Sequence, residues 1–173
     1  MRQLIVLVIM GSVLIFLALI IPIQETAAPQ SGSGSSPQGG GFDAIVSFSN
    51  GAVVHVEIAN TTGARQVGLM NHQGLGEKEG MLLDFMSIGS HGIWMMNMKF
   101  SIDAIWVNTV GIVVHVEENL QPCSSNPGNV CPAYYSKASN VRYVLEVPAG
   151  FAARRGIAIG DDVEIATIQK QVG

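Results

Sequence analysis

The sequence predicts a mainly β (α+β) domain: a small barrel- or sandwich-like antiparallel sheet with one or two short helices, preceded by one N-terminal transmembrane helix. Three observations predict it. Short runs rich in Val and Ile recur between Gly, Asn and Asp turn signals, which is the mark of many short strands. Only two stretches, near residues 60–70 and 150–156, carry helix start or stop signals. Residues 4–23 form one apolar run long enough to cross a bilayer.

That run, LIVLVIMGSVLIFLALIIPI, has 20 apolar or small residues. At 1.5 Å per residue it spans about 30 Å. Arg2 precedes it and Glu25 follows, so the positive-inside bias puts the N-terminus in the cytoplasm and the rest outside. A cleaved signal peptide is the alternative. Its apolar region runs about 7–15 residues and ends in a small-x-small site, which Thr26-Ala27-Ala28 matches poorly. Residues 24–41, QETAAPQSGSGSSPQGGG, bury no face and form a disordered tether with a reach of about 25 Å. The expected organisation is therefore an anchor over 1–23, a linker over 24–41 and a globular domain over 42–173. The expected location is a single-pass cell-membrane protein with its domain exterior.

Within the domain, Asn50-Gly51 between two alternating runs predicts a hairpin of strands 44–48 and 52–58. Val54, Val56 and Ile58 share one face, while Val53, His55 and Glu57 share the other. Asn60-Thr61-Thr62 can cap a short helix reaching about Met70. The same triplet is a low-specificity N-glycosylation pattern. Residues 73–80, QGLGEKEG, read as a loop without phosphate-binding spacing. Strands follow at 80–85, 93–96, 102–108, 112–117, 141–147 and 163–168, with a helical turn at 150–155 ended by Gly156.

After residue 41 there are eight Lys or Arg against twelve Asp or Glu, with no basic run. Nucleic acid is thereby excluded as an expected partner. Val53-Val-His-Val-Glu57 recurs as Val113-Val-His-Val-Glu117. If those strands were neighbours, two His and two carboxylates could meet a metal. Ordinary alternation explains the repeat as well. No metal and no cofactor is expected.

Arg65-Gln-Val-Gly-Leu-Met70, Gly80-Met-Leu-Leu83, Trp94-Met-Met-Asn-Met-Lys-Phe100, Ile102-Asp103, Val144-Leu-Glu-Val-Pro-Ala-Gly150 and Gly160-Asp161 fall in a fixed order. In that order they resemble the DUF192 family, from about Ala52 to Ile168. The Trp-Met-x-Asn-Met form and the Pro-Cys…Cys-Pro-x-Tyr insert look most like archaeal, membrane-anchored members. Many members have Lys where Met96 stands here, so only Lys99 could serve a site needing that charge. The resemblance implies a compact, mostly β domain, often secreted or anchored, and no established activity.

Cys123 and Cys131 lie in a Pro/Gly-rich loop of an exterior domain, which favours a disulfide over a redox or metal pair. The ligand-binding candidates are Arg65, Trp94, Asn97, Lys99, Asp103 and Trp106. Asp103 stands alone among apolar neighbours, as a catalytic carboxylate or as a partner for the turn at 97–101. Arg65 could hold an anion or pair with Asp103 or Asp84. The two tryptophans are symmetric about residue 100, so a hairpin there would oppose them, as a core pair or a sugar-stacking platform. Met70, Met81, Met86, Met95, Met96 and Met98 surround His72 and His91, a set that suits copper but also suits an irregular core.

The expected function is an extracytoplasmic binding or accessory module of the cell envelope, with an envelope protein or glycan as partner. The alternatives are a hydrolase using Asp103 with Arg65, and metal handling by Met and His. A binding module should present an exposed Trp beside an open groove and no strongly perturbed carboxylate. A hydrolase should bring Asp103 and Arg65 together in a pocket.

Overall fold

The computed structural model describes residues 41–124 and 130–169. The expected anchor over 1–23, and the linker up to residue 40, lie outside the described residues. Strands β1 (Ala44–Phe48) and β2 (Val53–Ala59) form the hairpin that Asn50-Gly51 predicts. Gly51 takes φ 87°, and the Asn50 side chain accepts the Ala52 N–H. Helix α1 (Thr62–Val67) starts at Thr61, whose hydroxyl accepts the Ala64 N–H at 3.1 Å. Then come β3 (Glu79–Gly89), β4 (Gly92–Trp94), β5 (Ile102–Asn108), β6 (Val113–Leu120), β7 (Ala133–Tyr135) and β8 (Val141–Pro148). Helix α2 (Phe151–Arg155), closed by Gly156 in the left-handed conformation, leads to β9 (Val163–Thr167).

Seven strands form one sheet in the order β6-β5-β8-β3-β2-β1-β9. It is not wholly antiparallel as expected, because β2 and β3 run parallel. The connection through α1 returns the chain to the starting end of the sheet, which is what a parallel pair needs. Backbone bonds Val113 N–H to Asp161 O and Val163 N–H to Gly111 O link the beginnings of β6 and β9. The sheet is therefore curled into a half-barrel. The two His-Glu repeats lie on β2 and β6, with β3, β8 and β5 between them, and are not neighbours. His115 pairs instead with Glu117 of its own strand at 3.2 Å.

Both faces of the sheet are covered, so all seven residues of β5 are buried. One face packs Val46, Val54, Val56, Leu82, Ile105, Leu145 and Val147 against Phe151 of α2. The other packs Met81, Leu83, Ala104, Trp106 and Val144 under Leu69, Ile93, Met95 and Leu120. Leu69 follows α1, and Ile93 belongs to β4. This second face carries the candidate site.

A separate ribbon, β4 paired with β7, lies against that face. The Cys123–Cys131 disulfide closes the loop leading into β7, and Cys123 pairs with Met96 just past β4. Gly92 is required where the ribbon strands touch. A Cβ there would collide with the Tyr135 ring.

Candidate functional site

A cavity of about 340 Å³ opens between α1 and the β4–β7 ribbon. Its size is at the low end of small-molecule sites. Three layers build it. The sheet supplies Leu83, Phe85 and Glu146; α1 and the segment after it supply Arg65, Gly68 and Met70; the ribbon supplies Trp94, Tyr135 and, just beyond β4, Met96 and Met98. Trp94 is 42% and Tyr135 is 58% exposed, so aromatic faces stand open at the wall.

Glu146 is the chemically unusual member. Strand alternation turns it toward the same face as Val144, between Met81 of β3 and Ala104 of β5. It is only 5% exposed, and its Oε2 has no hydrogen-bond partner among the described residues. Burial penalises the charged form and pushes the carboxyl up to about 8, so it carries a proton at neutral pH. Gly68, the C-cap of α1, lies over it with φ 48° and ψ −132°. A Cβ at Gly68 would stand 3.9 Å from Oε2.

Arg65 borders the cavity at another point. Its guanidinium donates to the Asp84 carbonyl at 2.8 Å and lies 5.2 Å from the Phe85 ring centre. The Asp84 carboxylate is held by Arg142 through two 3.0 Å bonds. Burial opposes ionisation of Asp84. The Arg142 bonds, the Met86 N–H and the Arg65 charge outweigh it and hold this carboxyl below its usual range.

Of the sequence candidates, Arg65 and Trp94 meet in this cavity, and the others do not line it. Asp103 is fully buried elsewhere. Its carboxylate accepts the N–H groups of Asn119, Gly150 and Ala152 at 2.9–3.0 Å, tying β6 and the start of α2 to β5. It bonds neither Arg65 nor the 97–101 turn. Trp106 is also fully buried, donating its indole N–H to the His91 carbonyl at 2.8 Å. The tryptophans do not face each other, since Trp94 pairs with Ala133 and Trp106 with His115 and Val144. Asn97 sits at a turn with φ 56°, and Lys99 is exposed beyond it.

Met70, Met96 and Met98 line the cavity, whereas His72 and His91 do not. His91 stacks on Phe85 at 4.0 Å and bonds the Ser87 carbonyl. Among the described residues no three His, Cys, Asp or Glu side chains converge to hold a metal ion.

Sequence reasoning missed Glu146 as a site residue. The available signal was a single acid inside Val144-Leu-Glu-Val147, the same pattern that drew attention to Asp103.

Two solved structures are similar to the chain. One, from Sinorhizobium meliloti, carries the provisional label of a transcription regulator. It is 26% identical with a TM-score of 0.63, and the match covers 75% of this chain and 97% of that one. The other, from Novosphingobium aromaticivorans, is a protein of unknown function. It is 30% identical with a TM-score of 0.61, covering 81% and 94%. No curated protein matches. Residues 44–165 match DUF192, described as an uncharacterized ACR family, so the stretch carrying the half-barrel and its cavity is the family's own domain, and the chain belongs to DUF192.

Proposed function

We propose that this protein is a membrane-tethered, exterior-facing binding module whose ligand occupies the cavity between α1 and the β4–β7 ribbon. The observation that carries the reading is the pairing of open aromatic faces, Trp94 and Tyr135, with one buried carboxyl, Glu146, whose Oε2 has no partner among the described residues. An apolar pocket with a few convergent polar groups is the usual form of a small-molecule site. The apolar run at 4–23 and the Cys123–Cys131 disulfide support the tethered, oxidising location. The regulator label of the Sinorhizobium relative is not extended to this chain, because the sequence has no basic run to meet phosphate.

A hydrolytic reading draws on one observation: the raised Glu146 carboxyl suits a general acid. The residues lining the cavity include no second acid, Ser or Cys to complete such a site. The raised Glu146 carboxyl departs from the expectation that a binding module shows no strongly perturbed carboxylate; with no catalytic partner among the residues lining the cavity, it serves as a buried donor, and binding is the reading we adopt. The test is photo-crosslinking of the full-length protein in its native membrane, comparing wild type with Trp94→Ala. Capture of a partner or ligand that depends on Trp94 supports the proposal. Capture that ignores Trp94, or a domain that fractionates free of the membrane, overturns it.

A further inference from the structure

The residues lining the cavity include one base, Arg65, and one acid, Glu146; Tyr135 is the remaining titratable side chain. From each element packed on Glu146, the facing groups are otherwise uncharged. Met81 comes from β3, Ala104 from β5 and Gly68 from the end of α1. A cationic ligand would bring its charge into a pocket that already holds a guanidinium. An anionic head would be drawn to the Arg65 guanidinium rather than to Glu146, where it would be stripped of water against apolar walls. A neutral oxygen acceptor avoids both costs and gives the orphaned carboxyl a partner.

We propose that the cavity takes a small neutral molecule with an apolar body and a carbonyl group, the carbonyl oxygen bonding the buried Glu146 carboxyl and the body lying against Trp94 and Tyr135. The proposal rests on the binding reading above and names its ligand class. A carboxylic acid kept neutral by an apolar site is a donor at pH 7. It ceases to be one when it ionises, so binding of a pure acceptor depends on the protonated fraction.

The experiment uses the full chain in nanodiscs, with empty nanodiscs as blank, and two probes on one carbon skeleton: 4-phenylbutan-2-one and 4-phenylbutan-2-amine. Calorimetry gives Kd at pH 6, 7 and 9.5. The ketone should bind equally at pH 6 and 7. At pH 9.5, about 1.5 units above the value near 8 for Glu146, it should bind roughly thirtyfold more weakly. Glu146→Gln keeps a neutral donor of the same shape. It should hold the ketone within about threefold of wild type at pH 7 and abolish the loss at pH 9.5. A loss that persists in Glu146→Gln assigns the effect to another group and overturns the proposal.

Tighter binding of the amine, rising with pH and lost in Glu146→Gln, overturns the carbonyl assignment while leaving the pocket reading intact. Binding of neither probe also overturns the carbonyl assignment. The pocket reading then stands or falls on Trp94-dependent crosslinking. The wild-type pH profile carries the test even if the variant fails to fold.

Discussion

Asp103 gives a prediction whose size follows from its bonds. Its Oδ1 accepts the N–H groups of Asn119 and Gly150, and its Oδ2 accepts that of Ala152, which is buried. Asp103→Asn keeps the shape and one acceptor oxygen. With that oxygen in the Oδ1 position, the new amide NH₂ faces the Ala152 N–H, donor against donor. One bond to a charged acceptor disappears and one buried donor is orphaned, a loss of about 2–3 kcal/mol. Asp103→Ala orphans all three N–H groups and should cost about 3–6 kcal/mol, a large share of the stability of an ordinary domain. The assay is urea unfolding of the full chain followed by tryptophan fluorescence, since Trp106 is buried on β5, the strand that also carries Asp103. With a slope of about 1.5–2 kcal/mol per M urea, the Asp103→Asn midpoint should drop by about 1–2 M. Trp94-dependent crosslinking of the folded fraction should be unchanged. An Asp103→Asn protein as stable as wild type but defective in capture would refute the structural role assigned to Asp103.

The remaining predictions concern pH and the disulfide. Glu146 has its folded-state value raised from an ordinary 4.5 to about 8, so the native state binds the extra proton between those values. Its stability contribution is full below pH 4.5 and lost as pH rises through about 8, falling by roughly 1.4 kcal/mol per unit and by about 5 kcal/mol in all. Asp84 acts oppositely: its lowered value gives stability present above about 4 and lost on acidification. Stability melts from pH 3 to 9 should therefore peak near pH 4–5 from these two groups, and Glu146→Gln should flatten the alkaline limb; an unchanged limb contradicts the burial of that carboxyl. Replacing Cys123 and Cys131 together by Ser should lower stability by at most about 2.5 kcal/mol, because the closed loop is short. It should loosen β7 and so raise proteolytic cleavage near Tyr135 before the main sheet unfolds, as gel analysis of a timed digest would record.

The sheet was legible where local chemistry decides the structure. Asn50-Gly51 specifies its hairpin, Thr61 its helix cap and Gly156 the end of α2. Strand β7 was not legible, because three residues in a Cys-Pro loop carry no period. They pair only because the disulfide and the Met96–Cys123 contact hold them to β4. The far end of β3 was missed for a similar reason. Its register shifts between Asp84 and Gly89, with Met86 at φ 57°, and a bulge of that kind breaks the alternation on which a strand is read.

The site was legible in part. Arg65 and Trp94 were chosen and do share the cavity. Asp103 and Glu146 show why the rest was not. Each is a lone acid in an apolar strand, and sequence alone does not separate them. What separates them is long-range: Asp103 meets three backbone N–H groups from residues 16 to 49 positions away, whereas Oε2 of Glu146 meets none among the described residues. Alternation would normally place an acid such as Glu146 in water. Here both faces of the sheet are covered, so the outward position is also interior.

The central claim is that the cavity floor is a carboxyl bearing a proton at neutral pH. Titrating the ¹³C side-chain carboxyl signal of Glu146 in the full chain, assigned by its loss in Glu146→Gln, tests this most directly. The account predicts a midpoint near pH 8. A midpoint near 4.5, the value of a solvated glutamate, would contradict it.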